Sequence, residues 1–482
     1  MLHVPVLRAG QPYRSLDTID LKDSRSGEAV ARVSQANRGL IHHDLLQAAD
    51  WRRALQEIPS AELVAICGRA AELFLDGTVM VDPIDGVGQS PAQFVEIQSA
   101  TTGLPRSLCR ANMEKIHFVL ANMDCILAGL TRGLDLELLD RGHVVQDGRT
   151  VSFLGQANTM GAILPSNSPG VHSLWIPSFA LKVPLVLKPG RQEPWTPMRI
   201  TQALLAAGAP PEAISFYPTG HGAVTDILMR TDRSMLFGDE STLRPWQGDP
   251  RIQLHGPGWS KIIFGEDQAQ HWKNHLDWMV GSIAANGGRS CVNASGVWTP
   301  AHGDSLADAL AQRLAAIPAR ALDDPQAELA AFTDPGIARR ISDFIDQRLA
   351  IPGAEDVTAR YRRGGRVAEV GGSTFVLPTV IRCSDPDHPL ASAELLFPFV
   401  SVVEVPQAEM VTKIGSTLVA SVVSDDVAFR EEMLVARNID RLNLAAVPTN
   451  VVSWDQPHEG NLFELLYKQR SFVSGSSDST AA

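Results

Sequence analysis

Apolar positions change their spacing along the chain, and the changes mark out its parts. From Ala61 to Asp76 they recur at helical intervals, with Leu63, Ile66, Ala70 and Leu73 on one side. Ser107 to Leu130 repeats this over a longer stretch, with Met113, Ile116, Leu120 and Met123 as a core-facing stripe. Between His143 and Phe153 the period falls to that of a strand. There Val144, Val145, Val151 and Phe153 flank Asp147-Gly148, a dipeptide suited to a two-residue hairpin turn. A lone hairpin is marginal in water, so this one is expected to pack on something, a second subunit among the candidates.

From Gly161 to Phe264 short apolar runs alternate with helical patterns. Strands are expected at 162–164, 183–187, 213–217, 234–237, 251–254 and 262–264, and helices at 171–181, 197–207 and 223–229. Such alternation predicts right-handed βαβ units and a parallel sheet covered on both faces. Ligands bind these sheets beyond the carboxyl ends of the strands. Asn167, Lys188, Arg191, Gly238 and His255 all fall near strand ends, which gathers the candidate chemistry at one edge. Beyond 291 the pattern is again mixed, with helices expected at 305–317 and 335–349 and a strand at 400–405. Tyr361 to Gly372 reads as basic, Gly-rich surface, and Ser474 to Ala482 as a small, polar, frayed tail.

Composition narrows the classes. The chain has 482 residues with 44% hydrophobic and 20% charged content, enough for two or three globular domains of ~150 residues. A net charge of −12 disfavours nucleic acid and anionic membrane as partners. The 5 cysteines show no CxxC spacing, which argues against a disulfide framework or a metal site and for a reducing, cytoplasmic compartment. The first residues hold no long apolar run, so no signal peptide is expected, and no stretch approaches the ~20 apolar residues of a membrane span.

One cysteine stands in a setting of its own: Asn286-Gly287-Gly288-Arg289-Ser290-Cys291-Val292-Asn293-Ala294-Ser295. Glycines let backbone approach a ligand closely. Backbone N–H groups at such a turn can face an oxyanion while a thiol held there attacks a carbonyl. The same residues also suit an inert buried cysteine beside a loop.

Four segments, in order, resemble the aldehyde dehydrogenase superfamily, with features of its CoA-acylating branch. Pro165-Ser166-Asn167-Ser168-Pro169 is similar to the family's Pro-x-Asn-x-Pro turn, and Val186-Leu187-Lys188-Pro189 to its strand ending in Lys-Pro. Gly288-Arg289-Ser290-Cys291 resembles its nucleophile loop, and Glu394 with Phe397-Pro398 its Glu-x-Phe-Gly-Pro segment, here without the glycine. The resemblance implies a Rossmann-like α/β domain from 1–142 and 158–257, a second α/β catalytic domain from 258–445, and an oligomerisation hairpin and tail from 143–157 and 446–482. It implies Cys291 as nucleophile and Asn167 as oxyanion holder. It also implies a nucleotide site drawn from Pro165, Ser166, Lys188, Arg191, Phe237, Gly238, Ser241 and Glu394. The partners implied are a small aldehyde or acyl-CoA and a second or fourth copy of the chain, as homodimer or homotetramer.

The departures shape the reading. Arg191 stands where the family has an acid for the ribose hydroxyls, and an arginine suits a 2′-phosphate, which favours NADP over NAD. Asp239-Glu240 follows Gly238, and two carboxylates beside a pyrophosphate repel it unless they point away. Leu254-His255-Gly256-Pro257-Gly258 replaces the Glu-Leu-Gly-Gly whose glutamate activates water. Without that base a thiol such as coenzyme A becomes the expected acyl acceptor, although His255 can itself serve as a base. A hydrolytic aldehyde dehydrogenase and an inactive nucleotide-binding relative are the alternatives.

Overall fold

The computed structural model describes residues 1–457 and 459–473, so the 474–482 tail lies outside the described residues. Two seven-stranded sheets carry the molecule. In the first, the strands run in the order Ile252–His255, Arg233–Phe237, Met160–Ile163, Leu185–Lys188 and Ile214–Phe216, followed by Val6–Arg8 and Gln11–Tyr13. The first five are mutually parallel, and the last two join antiparallel from the chain's N-terminal stretch. Leu185, Val186 and Leu187 are fully buried, as strands covered on both faces must be.

Strand order reverses at Met160–Ile163: the chain goes on to one neighbour, Leu185–Lys188, and only later returns to the other, Arg233–Phe237. That reversal opens a crevice beyond the carboxyl ends, the place where doubly wound sheets hold ligands. The segments that follow Ile163, Lys188, Phe237 and His255 therefore meet at one edge.

The second sheet runs Ala354–Asp356, Thr379–Cys383, Phe399–Glu404, Gly296–Thr299, Lys261–Phe264, Thr417–Val423 and Ile439–Asn443. It is parallel except at the Ala354–Asp356 edge. Separate apolar clusters fill its two faces, one around Trp298, Phe399 and Met410, the other around Phe264, Leu306 and Val400.

The hairpin pairs His143–Gln146 with Arg149–Gly155, and its tip, Asp147 and Gly148, takes positive φ at both positions, as a type I′ turn requires. Strand Tyr467–Arg470 adds antiparallel to its outer side. The residues before position 60 form five strands and two helices.

Three expectations need correcting. The 107–130 helix is two helices, Arg106–Ala121 and Met123–Leu130, broken at Asn122 (φ −114°, ψ 36°), whose side-chain amide donates to the Phe118 carbonyl at 2.8 Å. Asparagine competes in this way with the helix's own bonds. The 171–181 helix is a 3₁₀ segment, Pro169–Leu174, and a single turn, Pro177–Ala180, because Pro177 cannot continue a preceding helix. The basic 361–372 stretch is not simply surface: the Arg362 and Arg366 side chains are only 8% and 5% exposed and both pair with Asp356, at 3.0 and 2.9 Å, and Val367–Val370 forms a strand. The other helices and strands expected from spacing form within about two residues of their expected bounds.

Candidate active site

Asn286, Gly287 and Gly288 take φ of 53°, 65° and 69°, a left-handed run that turns the chain sharply ahead of Cys291. At Gly288 glycine is required twice over, since a Cβ there would also run into the backbone between Phe397 and Pro398. Asn286 is fixed from both sides. Its carbonyl oxygen accepts from Asn112 Nδ2 at 2.8 Å and its amide donates to Ser168 Oγ at 3.1 Å. The turn after Ile163 closes on the same loop: Asn167 Nδ2 donates to the Arg289 carbonyl at 2.8 Å, and Ser168 and Ser290 share a hydroxyl contact at 3.2 Å. An amide nitrogen carries two hydrogens, so this bond leaves Asn167 a second donor.

Cys291 is half-buried and lines a chamber of about 310 Å³ with Asn167, Phe237, Gly238, His255, Pro257 and Glu394. Its thiol is pushed well above the usual cysteine range, first by burial and then by the negative charges of Glu459 and Glu394. At rest it is a protonated thiol that needs a base. Cys67, Cys109 and Cys383 are buried in the core, where burial raises their thiols to about 12 or beyond.

Glu394 turns its carboxylate onto the Gly-Pro-Gly segment, accepting from the Gly258 amide at 2.9 Å and also from the Trp259 amide. Burial lifts it to about 7, partly offset by those two donors. Gly258 packs so closely on Cys291 that a Cβ would strike the Cys291 carbonyl, which already accepts from Ser260 Oγ at 2.8 Å. His255 ends its strand with its ring stacked on Phe237, centroids 4.4 Å apart.

Pro165 and Phe237 line both this chamber and a neighbouring groove of about 440 Å³. Ser166, Lys188, Arg191, Thr219, Gly220 and Thr242 line this groove, with no carboxylate among its lining residues. Burial lowers the Lys188 ammonium. Glu193, just beyond Arg191, is turned inward, where Gln98 and Thr196 donate to it and His172 contacts it at 3.1 Å. Asp239 is absent from the groove's lining and borders the thiol chamber. It caps the short helix Glu240–Leu243, accepting from the Thr242 amide at 2.9 Å and from the Ser241 hydroxyl at 2.8 Å, and these donors hold it below the usual carboxylate range. Ser241 and Thr242 both donate their hydroxyls to Asp239 at 2.8 Å, and of the two only Thr242 lines the groove.

One residue at the thiol escaped the sequence reading. Glu459 Oε1 lies 3.6 Å from Cys291 Sγ, and Glu459 Oε2 lies 3.2 Å from His255 Nδ1. Lys115 and Arg441 face the same group, and both cations are lowered by burial and raised by Glu459. The segment around Glu459 has neither helical nor strand periodicity, so no spacing rule points to it. Among the described residues no cluster of His, Cys, Asp or Glu could hold a metal ion, and no helix is long and apolar enough to cross a membrane.

The sequence model of the aldehyde dehydrogenase family matches residues 13–460. The chain is 25% identical over 389 residues to 2-hydroxymuconic semialdehyde dehydrogenase of Pseudomonas sp. (strain CF600), covering 74% of this chain and 72% of that one. It is 22% identical over 282 residues to the acylating methylmalonate-semialdehyde/malonate-semialdehyde dehydrogenase of Rattus norvegicus mitochondria, covering 56% and 51%. Its fold matches a solved structure of a P. syringae indole-3-acetaldehyde dehydrogenase mutant in complex with NAD+, with a TM-score of 0.76, 16% identity, and 98% and 96% of the two chains covered.

Proposed function

Because this chain belongs to the aldehyde dehydrogenase family, we propose that it oxidises a small aldehyde through a thioester on Cys291, with NADP preferred over NAD. The observation that carries this reading is that the thiol chamber shares Pro165 and Phe237 with a groove whose charged lining is Lys188 and Arg191 alone. A bound dinucleotide supplies the acceptor for the aldehyde's hydride.

The chain's own residues divide the remaining work. Lys188 and Arg191 suit the 2′-phosphate, Arg191 through charge-assisted bonds. Pro165, Ser166, Phe237 and Gly238 border the passage to the thiol. Cys291 attacks the carbonyl carbon, and the free N–H of Asn167 with the Cys291 backbone N–H holds the oxygen as it gains charge. Glu394 fixes Gly258 and Trp259, and with them the loop packed on Cys291. The acyl group then leaves to coenzyme A or to water, and residues 254–259 carry no carboxylate that could activate the water.

The three-stranded sheet is the surface we assign to pairing with a second copy, since Val145 and Leu154 lie exposed on it. An aldehyde panel read by reduced-nicotinamide absorbance, with NAD or NADP and with or without coenzyme A, tests the whole reading. Turnover that survives Cys291→Ala would refute it.

A further inference from the structure

We propose that Glu459 is the general base that activates water against the Cys291 thioester, so that the chain releases a carboxylic acid although residues 254–259 hold no acid of their own. The inference rests on the Cys291 thioester reading and deepens it.

Geometry carries the argument. Oε1 of Glu459 accepts from the Cys291 thiol 3.6 Å away, and Oε2 lies 3.2 Å from His255 Nδ1. The side chains of His255 and Glu459 are 5% and 7% exposed, so bulk water does not screen the pair. His255 Nε2 is buried with no partner among the described residues, which leaves Nδ1 as the ring's working nitrogen. His255 therefore orients Glu459, and His255 is a positioning residue.

The backbone holds the carboxylate in place. Glu459 sits at φ 54°, a conformation that side chains other than glycine rarely adopt, and its carbonyl accepts from Gln253 Nε2 at 2.6 Å, on the strand that ends in His255. Of the other charged groups around it, Lys115 and Arg441 favour its ionised form, while Glu394 and Asp440 oppose it.

Once Sγ carries the acyl group it no longer donates to Oε1. A water takes that place with its oxygen beside the acyl carbon. Its oxygen bonds to the carbon as its proton passes to Oε1. The C–S bond breaks, its electron pair stays on Sγ, and the proton on Glu459 returns to the sulfur. The acid leaves and the thiol is restored.

The test uses the full chain with p-nitrophenyl acetate and no nucleotide, followed by stopped flow. The native protein should give a burst of about one nitrophenolate per chain as Cys291 is acylated, then slow release limited by hydrolysis. Glu459→Gln should keep the burst, lose about 100-fold in release and accumulate an acetylated Cys291 visible by intact mass. Glu459→Asp, which keeps the carboxylate, should recover part of the rate. Native release should fall as pH drops through the carboxylate's titration, and Glu459→Gln should lack that limb. Release in Glu459→Gln within about twofold of native, or release in the native protein driven by coenzyme A rather than water, would overturn the assignment. Absence of any adduct on Cys291 in the native protein overturns the thioester reading itself, and the assignment with it.

Discussion

The two neighbouring cavities form halves of opposite character. The groove beside Lys188 and Arg191 offers two cations and no carboxylate, its nearest acids having been turned onto a helix cap and into the core. The chamber around Cys291 has two carboxylates within electrostatic reach of the thiol, and both raise it. The first half has the charge to suit an anion. The second keeps a sulfur protonated. Because Pro165 and Phe237 line both, the halves can be perturbed separately while sharing one boundary.

The sharpest separation is Cys291→Ala. It should abolish aldehyde oxidation, by roughly 10⁴-fold or more, while calorimetric titration finds nucleotide affinity unchanged. Loss of nucleotide binding in that variant would mean the halves are one site rather than two.

The next effect is on stability against pH. Burial raises Glu394 to about 7 from an ordinary 4.5, so the folded chain holds a proton there that the unfolded chain has released. Its contribution is fully present below about pH 4.5 and is lost as pH rises through about 7. The change amounts to at most about 3 kcal/mol. The thermal midpoint should therefore decline between those limits, and Glu394→Gln should flatten that decline. The same variant removes a negative neighbour, so alkylation of Cys291 at pH 8 should speed up.

Smaller again is Arg191→Ala, which should weaken NADP by about 10-fold and leave NAD nearly unaffected, measured by titration. Equal losses for both would remove the case for a 2′-phosphate site. Smallest is Asp239→Ala, which should cost about 1 kcal/mol in unfolding free energy through the lost cap, with the thiol's alkylation profile unmoved.

Much of the scaffold was legible because parallel strands buried on both faces must be nearly continuous apolar runs, as at Leu185–Lys188. The glycine loop was legible for a similar reason, since few other residues tolerate three left-handed positions in succession. What escaped were features set by tertiary contact. Arg362 and Arg366 read as surface until Asp356 met them. Asp239 read as a repulsive charge until its cap was seen. Glu459 lies 168 positions after Cys291, in a stretch whose pattern states nothing about where it will fold.

That same stretch leads directly into helix Leu462–Leu466 and strand Tyr467–Arg470, the outermost rung laid on the hairpin. The carboxylate at the sulfur is thus tethered to the rim of the molecule by a short length of chain. Peeling that rung away, by truncation or by a competing strand, would slacken the tether and let the acid drift from its post without touching any residue of the reaction centre.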